Sequence, residues 1–168
     1  MNYHDILHDD MRNGDGLRVV LFVSGCDHYC DECQNPQTWD SQSGIVFDAS
    51  AKDEIFTELC KDHIAGITFS GGDPLYQVEA FTELARRIKE ETGKNIWCYT
   101  GFTYEEILAD KRLSMILPYI DTLVDGPFIA SLRDTELHFR GSSNQRIIHL
   151  HGSEEESIPG TVSVIPYK

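Results

Sequence analysis

The stretch LRVVLFVSGCDHYCDEC, residues 17–33, joins an apolar run directly to a polar loop that holds three cysteines. Its first seven residues are apolar or β-branched apart from one arginine, which predicts a buried β-strand. Cys26, Cys30 and Cys33 follow, separated by three and then by two residues. Active sites in α/β folds lie at the carboxyl ends of strands, so residues 24–33, called the cysteine loop below, are a candidate functional site.

Strand and helix signals alternate through the rest of the chain. Ser50 is a candidate N-cap of the first helix, and Gly93 is the candidate residue just past the end of the second. The first sixteen residues are polar and end in an Asn-Gly-Asp-Gly turn signal, so they carry no predicted strand or helix. Besides residues 17–23, the predicted strands are 67–70, 95–100, 120–124 and 146–150, with an edge strand at 161–166; the predicted helices are 50–63, 76–91 and a third that begins at 104 and can continue up to 118.

This alternation predicts an α/β fold with a largely parallel sheet, in a single domain that spans residues 1–168. Three loops follow directly on predicted strand ends: the cysteine loop, residues 70–74 and residues 100–101. The carboxyl ends of parallel strands share one edge of a sheet, so we expect the three loops to converge on one rim.

Composition narrows the function classes. The formal net charge is −14, and a field of that sign repels a phosphate backbone, so nucleic-acid binding is disfavoured. The sequence holds no apolar run near the ~20 residues of a membrane helix and no signal peptide, so neither a membrane partner nor export is expected. The sequence has five cysteines, whereas a secreted disulfide framework usually uses an even number, so such a framework is disfavoured. A reducing compartment, the cytoplasm, is predicted.

The cysteine loop allows three interpretations. Packed core thiols are disfavoured because the loop is polar. A structural zinc site takes four ligands, commonly in two separated pairs. Cys60 and Cys98 are isolated and are predicted to be packed thiols, which leaves His28 as a candidate fourth ligand inside the loop itself. Iron–sulfur clusters are normally held by four cysteines, so three would leave one iron open to another ligand, as in a catalytic centre.

The loop SGGDP, residues 70–74, is the second candidate part of the site. Two glycines allow a ligand to approach the backbone closely and allow a positive φ, and Asp73 adds a carboxylate. Thr100 and its neighbours at the next strand end are candidates for lining the same pocket. The polar, serine-rich segment 139–146 is a further candidate contact for a cofactor or a partner protein.

These motifs together resemble the radical S-adenosylmethionine (SAM) enzymes. Within that superfamily the chain is most similar to the small glycyl-radical activases that act on anaerobic ribonucleoside-triphosphate reductase, and the resemblance covers most of the chain. Asp15 departs from the proline that is usual in the entry motif of these activases. The matching segments are residues 13–18, 22–26, 71–75, 96–101, 123–128 and 139–146, the last two being the most specific.

The resemblance implies a fold and a cofactor set. The fold would be a compact, open partial (β/α) barrel of the radical SAM type. One [4Fe–4S] cluster per chain would be held by Cys26, Cys30 and Cys33, with SAM bound to the open iron. Glu32 and Gln34 stand where aromatic, glycine or tyrosine residues are common in the family. With Thr100 at its strand end, the expected cofactor-binding residues are Glu32, Cys33, Gln34, Gly71, Gly72, Asp73 and Thr100.

The resemblance also implies the activity. One electron from the cluster would cleave SAM to methionine and a 5′-deoxyadenosyl radical, which would take a hydrogen atom from a glycine of the reductase. The expected partners are the large subunit of anaerobic ribonucleotide reductase and a low-potential electron donor such as flavodoxin. Two alternatives stay open: an activase of a different glycyl-radical enzyme, and a zinc-binding interaction module without enzymatic activity.

Overall fold

The computed structural model describes residues 1–151 and 161–163. These residues form one sheet of eight strands together with three α-helices and several short 3₁₀ helices. The strands are β1 (Asn2–Asp10), β2 (Arg18–Val23), β3 (Ile45–Val46), β4 (Gly66–Gly71), β5 (Asn95–Tyr99), β6 (Thr122–Asp125), β7 (Arg146–His149) and β8 (Thr161–Ser163), and the helices are α1 (Ala49–Leu59), α2 (Val78–Thr92) and α3 (Tyr104–Ala109).

The sheet is parallel at its centre, as the alternation of strands and helices predicts. Its strand order is β3-β1-β2-β4-β5-β6-β7-β8. Strands β2, β4, β5 and β6 are mutually parallel, whereas β1 and β3 on one side and β7 on the other pair antiparallel to their inner neighbours. Within the part of the chain described, no helix is long and apolar enough to cross a bilayer.

Both faces of the central strands are buried, and they differ in chemistry. Successive side chains of a strand point to opposite faces. One face, called the helix face below, carries residues such as Leu21, Phe69 and Cys98 and packs against apolar side chains of α1 and α2. Phe69, for example, meets Phe81 of α2 edge to face at 5.0 Å. The opposite face, called the cavity face, carries more polar and aromatic residues, among them Arg18, Phe22, Thr68, Ser70, Trp97 and Tyr99.

Strand β1 is the largest difference from the predicted elements, because the sequence predicts no strand in the first sixteen residues. Residues 2–10 pair antiparallel with β2, and Tyr3 and Ile6 pack against the core while several polar neighbours face solvent. A strand of this kind lies outside the parallel centre and needs few apolar residues. Its charged side chains therefore conceal it in the sequence.

The helix boundaries need smaller corrections. Asp48, not Ser50, caps α1, because its side chain accepts a hydrogen bond from the backbone N–H of Ala51 at 3.0 Å. Gly93 ends α2 in the left-handed conformation, as predicted. α3 stops at Ala109, and the chain continues as a separate 3₁₀ helix, Leu113–Tyr119, instead of one longer helix. Residues 164–166 of the predicted edge strand lie outside the described residues.

Candidate functional site

The three predicted loops meet around one cavity of about 590 Å³ at the carboxyl ends of β2, β4 and β5. The cavity is also bordered by Gly126 and Phe128 after β6, and by Gly141 and Gln145 before β7. The residues of the expected site that line it are Cys26, Cys30, Cys33, Gln34, Gly71, Gly72, Asp73 and Thr100. Eight of the nine residues expected at the site therefore border one cavity, Glu32 being the exception.

The cysteine loop is bent by its own backbone. Gly25 leaves β2 with a φ of 103° and donates its N–H to the carbonyl of Thr38 at 2.7 Å. Tyr29 and Glu32 also have positive φ angles, of 46° and 56°, which are uncommon for residues with a side chain. These turns fold the loop back on itself, so that thiols separated by several residues border the same cavity.

Burial and backbone donors act in opposite directions on the thiols. Burial raises the pKa of Cys26 to about 11 and also raises the pKa of Cys30. The backbone N–H groups of His28 and Phe128, which donate to Cys26 and Cys30 respectively, lower these pKa values in part. The N–H of Asn35 donates to Sγ of Cys33 at 3.3 Å. Each of the three sulfurs thus has a backbone N–H group beside it.

This donor set fits an iron–sulfur cluster. Cys26, Cys30 and Cys33 border one shared cavity, so their sulfurs can bind a single group there. Backbone N–H groups at the sulfurs are the kind of contact that tunes such clusters. The buried indole N–H of Trp39, which also lines the cavity, has no hydrogen-bond partner among the described residues. It is a donor for a polar atom of a bound group.

Asp73 joins the loops at the cavity wall. The residue is 3% exposed. Its Oδ1 accepts the backbone N–H of Leu75 at 2.8 Å, which caps a 3₁₀ helix. Its Oδ2 accepts the hydroxyl of Thr100 at 2.9 Å and the N–H of Gly101 at 3.0 Å, and lies 2.6 Å from Nε2 of His28. The hydrogen bond to Asp73 is the main reason that the pKa of His28 is raised.

The two glycines are required by the protein's own backbone as well as by any ligand. Gly71 has a φ of 99°, and a Cβ there would lie 2.5 Å from the N atom of Val23. At Gly72 a Cβ would lie 2.5 Å from the carbonyl oxygen of Gly25, the residue before the first loop cysteine. Close packing of the SGGDP turn against the start of the cysteine loop therefore excludes side chains at both positions.

Glu32 stands apart from the other expected cofactor residues. It is exposed, and its side chain borders a separate surface concavity together with Asp31 and residues 128–131. Cys98 is buried on the helix face, as predicted, but Cys60 is exposed and the prediction that it is a packed thiol is wrong. Cys60 follows the last residue of α1, where the chain already turns toward solvent.

Several residues of the cavity wall carry no signal of a functional role in the sequence. Phe22, Trp39 and Phe128 line it, yet each reads in the sequence as an ordinary apolar residue. Tyr99, a neighbour of Thr100 and like it a predicted candidate for the pocket, does line the cavity, and its hydroxyl donates to the carbonyl of Phe139 at 2.9 Å. The side chain of Gln145 accepts the N–H of Gly141 at 2.9 Å and so orders the 139–146 segment beside the cavity.

Comparisons with known proteins are consistent with this geometry. A family model described as a 4Fe-4S single cluster domain matches residues 12–148. Proteins named anaerobic ribonucleoside-triphosphate reductase-activating protein are similar over most of their length. The one from Haemophilus influenzae is 43% identical over 154 residues, covering 89% of this chain and 97% of that protein. The Escherichia coli K12 protein is 43% identical, covering 89% and 99%, and that of Enterobacteria phage T4 is 41% identical, covering 88% and 93%.

Proposed function

The chain belongs to the family of anaerobic ribonucleoside-triphosphate reductase-activating proteins, and we propose that it generates a glycyl radical on such a reductase. The observation that carries the proposal is that three thiols, a glycine-rich turn and a strand-end threonine border one cavity in a chain of this family. A [4Fe–4S] cluster held there would supply one electron for the reductive cleavage of SAM, the chemistry by which this family gains a radical able to remove a hydrogen atom from a glycine of the reductase.

We assign the cluster to Cys26, Cys30 and Cys33. Their shared cavity and the backbone N–H donor at each sulfur support the assignment. Burial raises the pKa of free Cys26 and Cys30, so metal binding has to displace their protons. The remaining two cysteines are one exposed residue and one on the helix face, neither of which borders the cavity.

We assign SAM to the wall formed by the SGGDP turn, Thr100 and Gln34. The backbone of Gly71 and Gly72 borders the cavity, and Gln34 lies on its rim next to the third loop cysteine. The side chain of Glu32 lies outside the cavity, so we leave it out of the proposed contacts. The unpaired indole N–H of Trp39 is an additional donor that a bound cofactor can use.

We further propose that the chain is one domain with an open partial (β/α) barrel. The cavity is bordered by residues of β2, β4 and β5 and by the segments after β6 and before β7, which supports a sheet that wraps part of the way around it. An open side is needed because the substrate is a glycine in another protein. Free cysteines support a reducing, cytoplasmic location, and a low-potential donor such as flavodoxin would supply the electron.

Anaerobic reconstitution tests the proposal. We expect a brown protein with about four irons per chain, which on reduction cleaves SAM to methionine and 5′-deoxyadenosine. Incubation with an anaerobic ribonucleoside-triphosphate reductase should then give the electron paramagnetic resonance (EPR) signal of a glycyl radical, and a reductase variant with alanine at that glycine should give none. A colourless zinc protein, or SAM cleavage without a radical on the reductase, would contradict it.

A further inference from the structure

We propose that His28 is a positioning residue that fastens the cysteine loop to the SAM-binding wall through the carboxylate of Asp73. This inference rests on the proposed function, because it concerns how the proposed cluster ligands are held relative to the proposed cofactor contacts. His28 lies between two of those ligands, Cys26 and Cys30, and its ring reaches out of its own loop.

The ring of His28 sits in a slot built from the neighbouring loops. Its Nε2 lies 2.6 Å from Oδ2 of Asp73, after β4. It packs against the ring of Phe102, after β5, in a T-shaped arrangement, with 4.6 Å between ring centroids and an angle of 74° between the planes. A Cβ at Gly101 would lie 2.5 Å from the ring, so a side chain at that position would displace it. Polar and steric contacts therefore hold the ring in one place.

Asp73 is suited to act as an anchor and not as a free ligand. Two carboxylate oxygens offer about four acceptor sites. Oδ1 of Asp73 accepts the N–H of Leu75, and Oδ2 is surrounded by Thr100 Oγ1, Gly101 N–H and His28 Nε2. The carboxylate is thereby occupied by donors from three loops of the chain itself. We infer that it acts on SAM through the groups it holds.

The His28–Asp73 contact complements the backbone contacts at the start of the loop. Asp73 N–H donates to the carbonyl of Gly25 at 2.8 Å, and Gly72 N–H donates to that of Val23 at 2.8 Å, so the loop is already fixed just before Cys26. His28 adds a link beyond Cys26, inside the span of the proposed ligands. Loss of this link should leave the three thiols in place but widen the range of positions that the open iron can take relative to SAM.

The test compares His28→Ala with His28→Gln and with His149→Ala. Glutamine keeps an N–H donor at a similar reach and should restore the link. His149 is a matched control because it is also half-buried and has one polar and one aromatic neighbour. Its ring nitrogen lies 2.9 Å from the hydroxyl of Thr122, and its ring packs near that of Trp97. Unlike His28, it does not border the cavity. Iron content, the SAM dissociation constant and the EPR spectrum of the reduced cluster with and without SAM are measured anaerobically on all three variants and the wild type.

We expect His28→Ala to keep about four irons per chain and to bind SAM about tenfold or more weakly than the wild type. Adding SAM at a concentration that saturates the wild type should therefore change the EPR spectrum of the reduced His28→Ala protein only slightly. His28→Gln and His149→Ala should bind SAM within about threefold of the wild type.

Wild-type SAM affinity in His28→Ala, loss of its iron, or an equal defect in His149→Ala would each overturn the proposal for His28 while leaving the proposed function intact. Failure of the wild type itself to bind or cleave SAM would instead overturn the proposed function. If His28→Ala does not fold, a tenfold weaker affinity in a folded His28→Gln would also contradict the proposal.

Discussion

Replacing Gly72 by alanine should disturb the proposed cluster and cofactor sites together. The backbone of Gly72 does not need a positive φ, so the effect comes from space alone. The added Cβ would lie 2.5 Å from the carbonyl oxygen of Gly25, where ordinary contact begins at 3.4 Å. The Gly25 peptide must therefore retreat by several tenths of an ångström, and it is bonded to Cys26.

The size of the effect follows from the packing. Overpacking of this kind costs about 1–3 kcal/mol of folding free energy. Retreat of Gly25 also stretches the 2.8 Å hydrogen bond that its carbonyl accepts from the N–H of Asp73. Gly93→Ala is a control of comparable size, because Gly93 has a φ of 64° at the end of α2 with nothing within 4 Å of its Cβ position. Its left-handed backbone should cost about 1–2 kcal/mol with alanine.

Three measurements compare the two variants, and two of them should separate the variants. Urea unfolding of the metal-free protein should show similar losses of stability for both. Only Gly72→Ala should lose iron faster to a chelator after anaerobic reconstitution, and only Gly72→Ala should bind SAM several-fold more weakly. Equal iron retention and equal SAM affinity in the two variants would refute the reasoning, because the packing of the SGGDP turn on the cysteine loop would then have no effect on either site.

Further predictions concern the cysteines and the charge beside them. Alanine at any one of the three loop cysteines should abolish SAM cleavage with the fold retained, as measured by product analysis and circular dichroism. Cys60→Ser should change the free energy of unfolding by less than about 0.5 kcal/mol, whereas Cys98→Ser should lower it by about 1–3 kcal/mol because it buries a hydroxyl. Both variants should keep their full iron content, and iron loss in either would contradict the ligand assignment. Glu32→Gln should raise the reduction potential of the cluster, because it removes a negative charge that disfavours reduction. The Coulomb energy of a unit charge about 10 Å away in a water-like dielectric corresponds to about 20 mV. An unchanged or lower potential in an anaerobic redox titration would contradict this prediction.

The strands and helices that the sequence predicts best are those whose signal is local. The apolar run of β2 and the amphipathic pattern of α2 with its terminal Gly93 need no knowledge of distant residues. The loop cysteines and the SGGDP turn are also local motifs, and their convergence follows from parallel strand order. β1 was missed because only a few of its residues contact the core, and their partners on β2 and β3 are remote in sequence.

The anchoring contacts of Asp73 could not be predicted for a related reason. Its partners His28 and Thr100 lie 45 and 27 residues away, and each could have bonded to water instead. These donors reach one carboxylate oxygen of Asp73 only because the fold brings the cysteine loop, the SGGDP turn and the end of β5 together. The sequence shows an acidic residue in a turn, and its use as an anchor is a property of the tertiary structure.

The division of the sheet into a helix face and a cavity face shows why a buried strand does not reveal its functional side. Along β5, Cys98 packs toward the helices while Trp97 and Tyr99 belong to the opposite face. A parallel strand covered on both sides reads as a nearly continuous apolar run, so the sequence has no alternation from which to choose a face. A shift of one residue would exchange Cys98 with Tyr99 and place a thiol at the cavity. The ladders with β4 and β6 hold β5 in this register, in which Cys98 pairs with Phe69 and Leu123. At the strand end, the hydroxyl of Thr100 donates to Asp73 and the N–H of Thr100 donates to the carbonyl of Val124 at 3.0 Å. These polar contacts of the site are thus compatible only with the register that places Trp97 and Tyr99 on the cavity face.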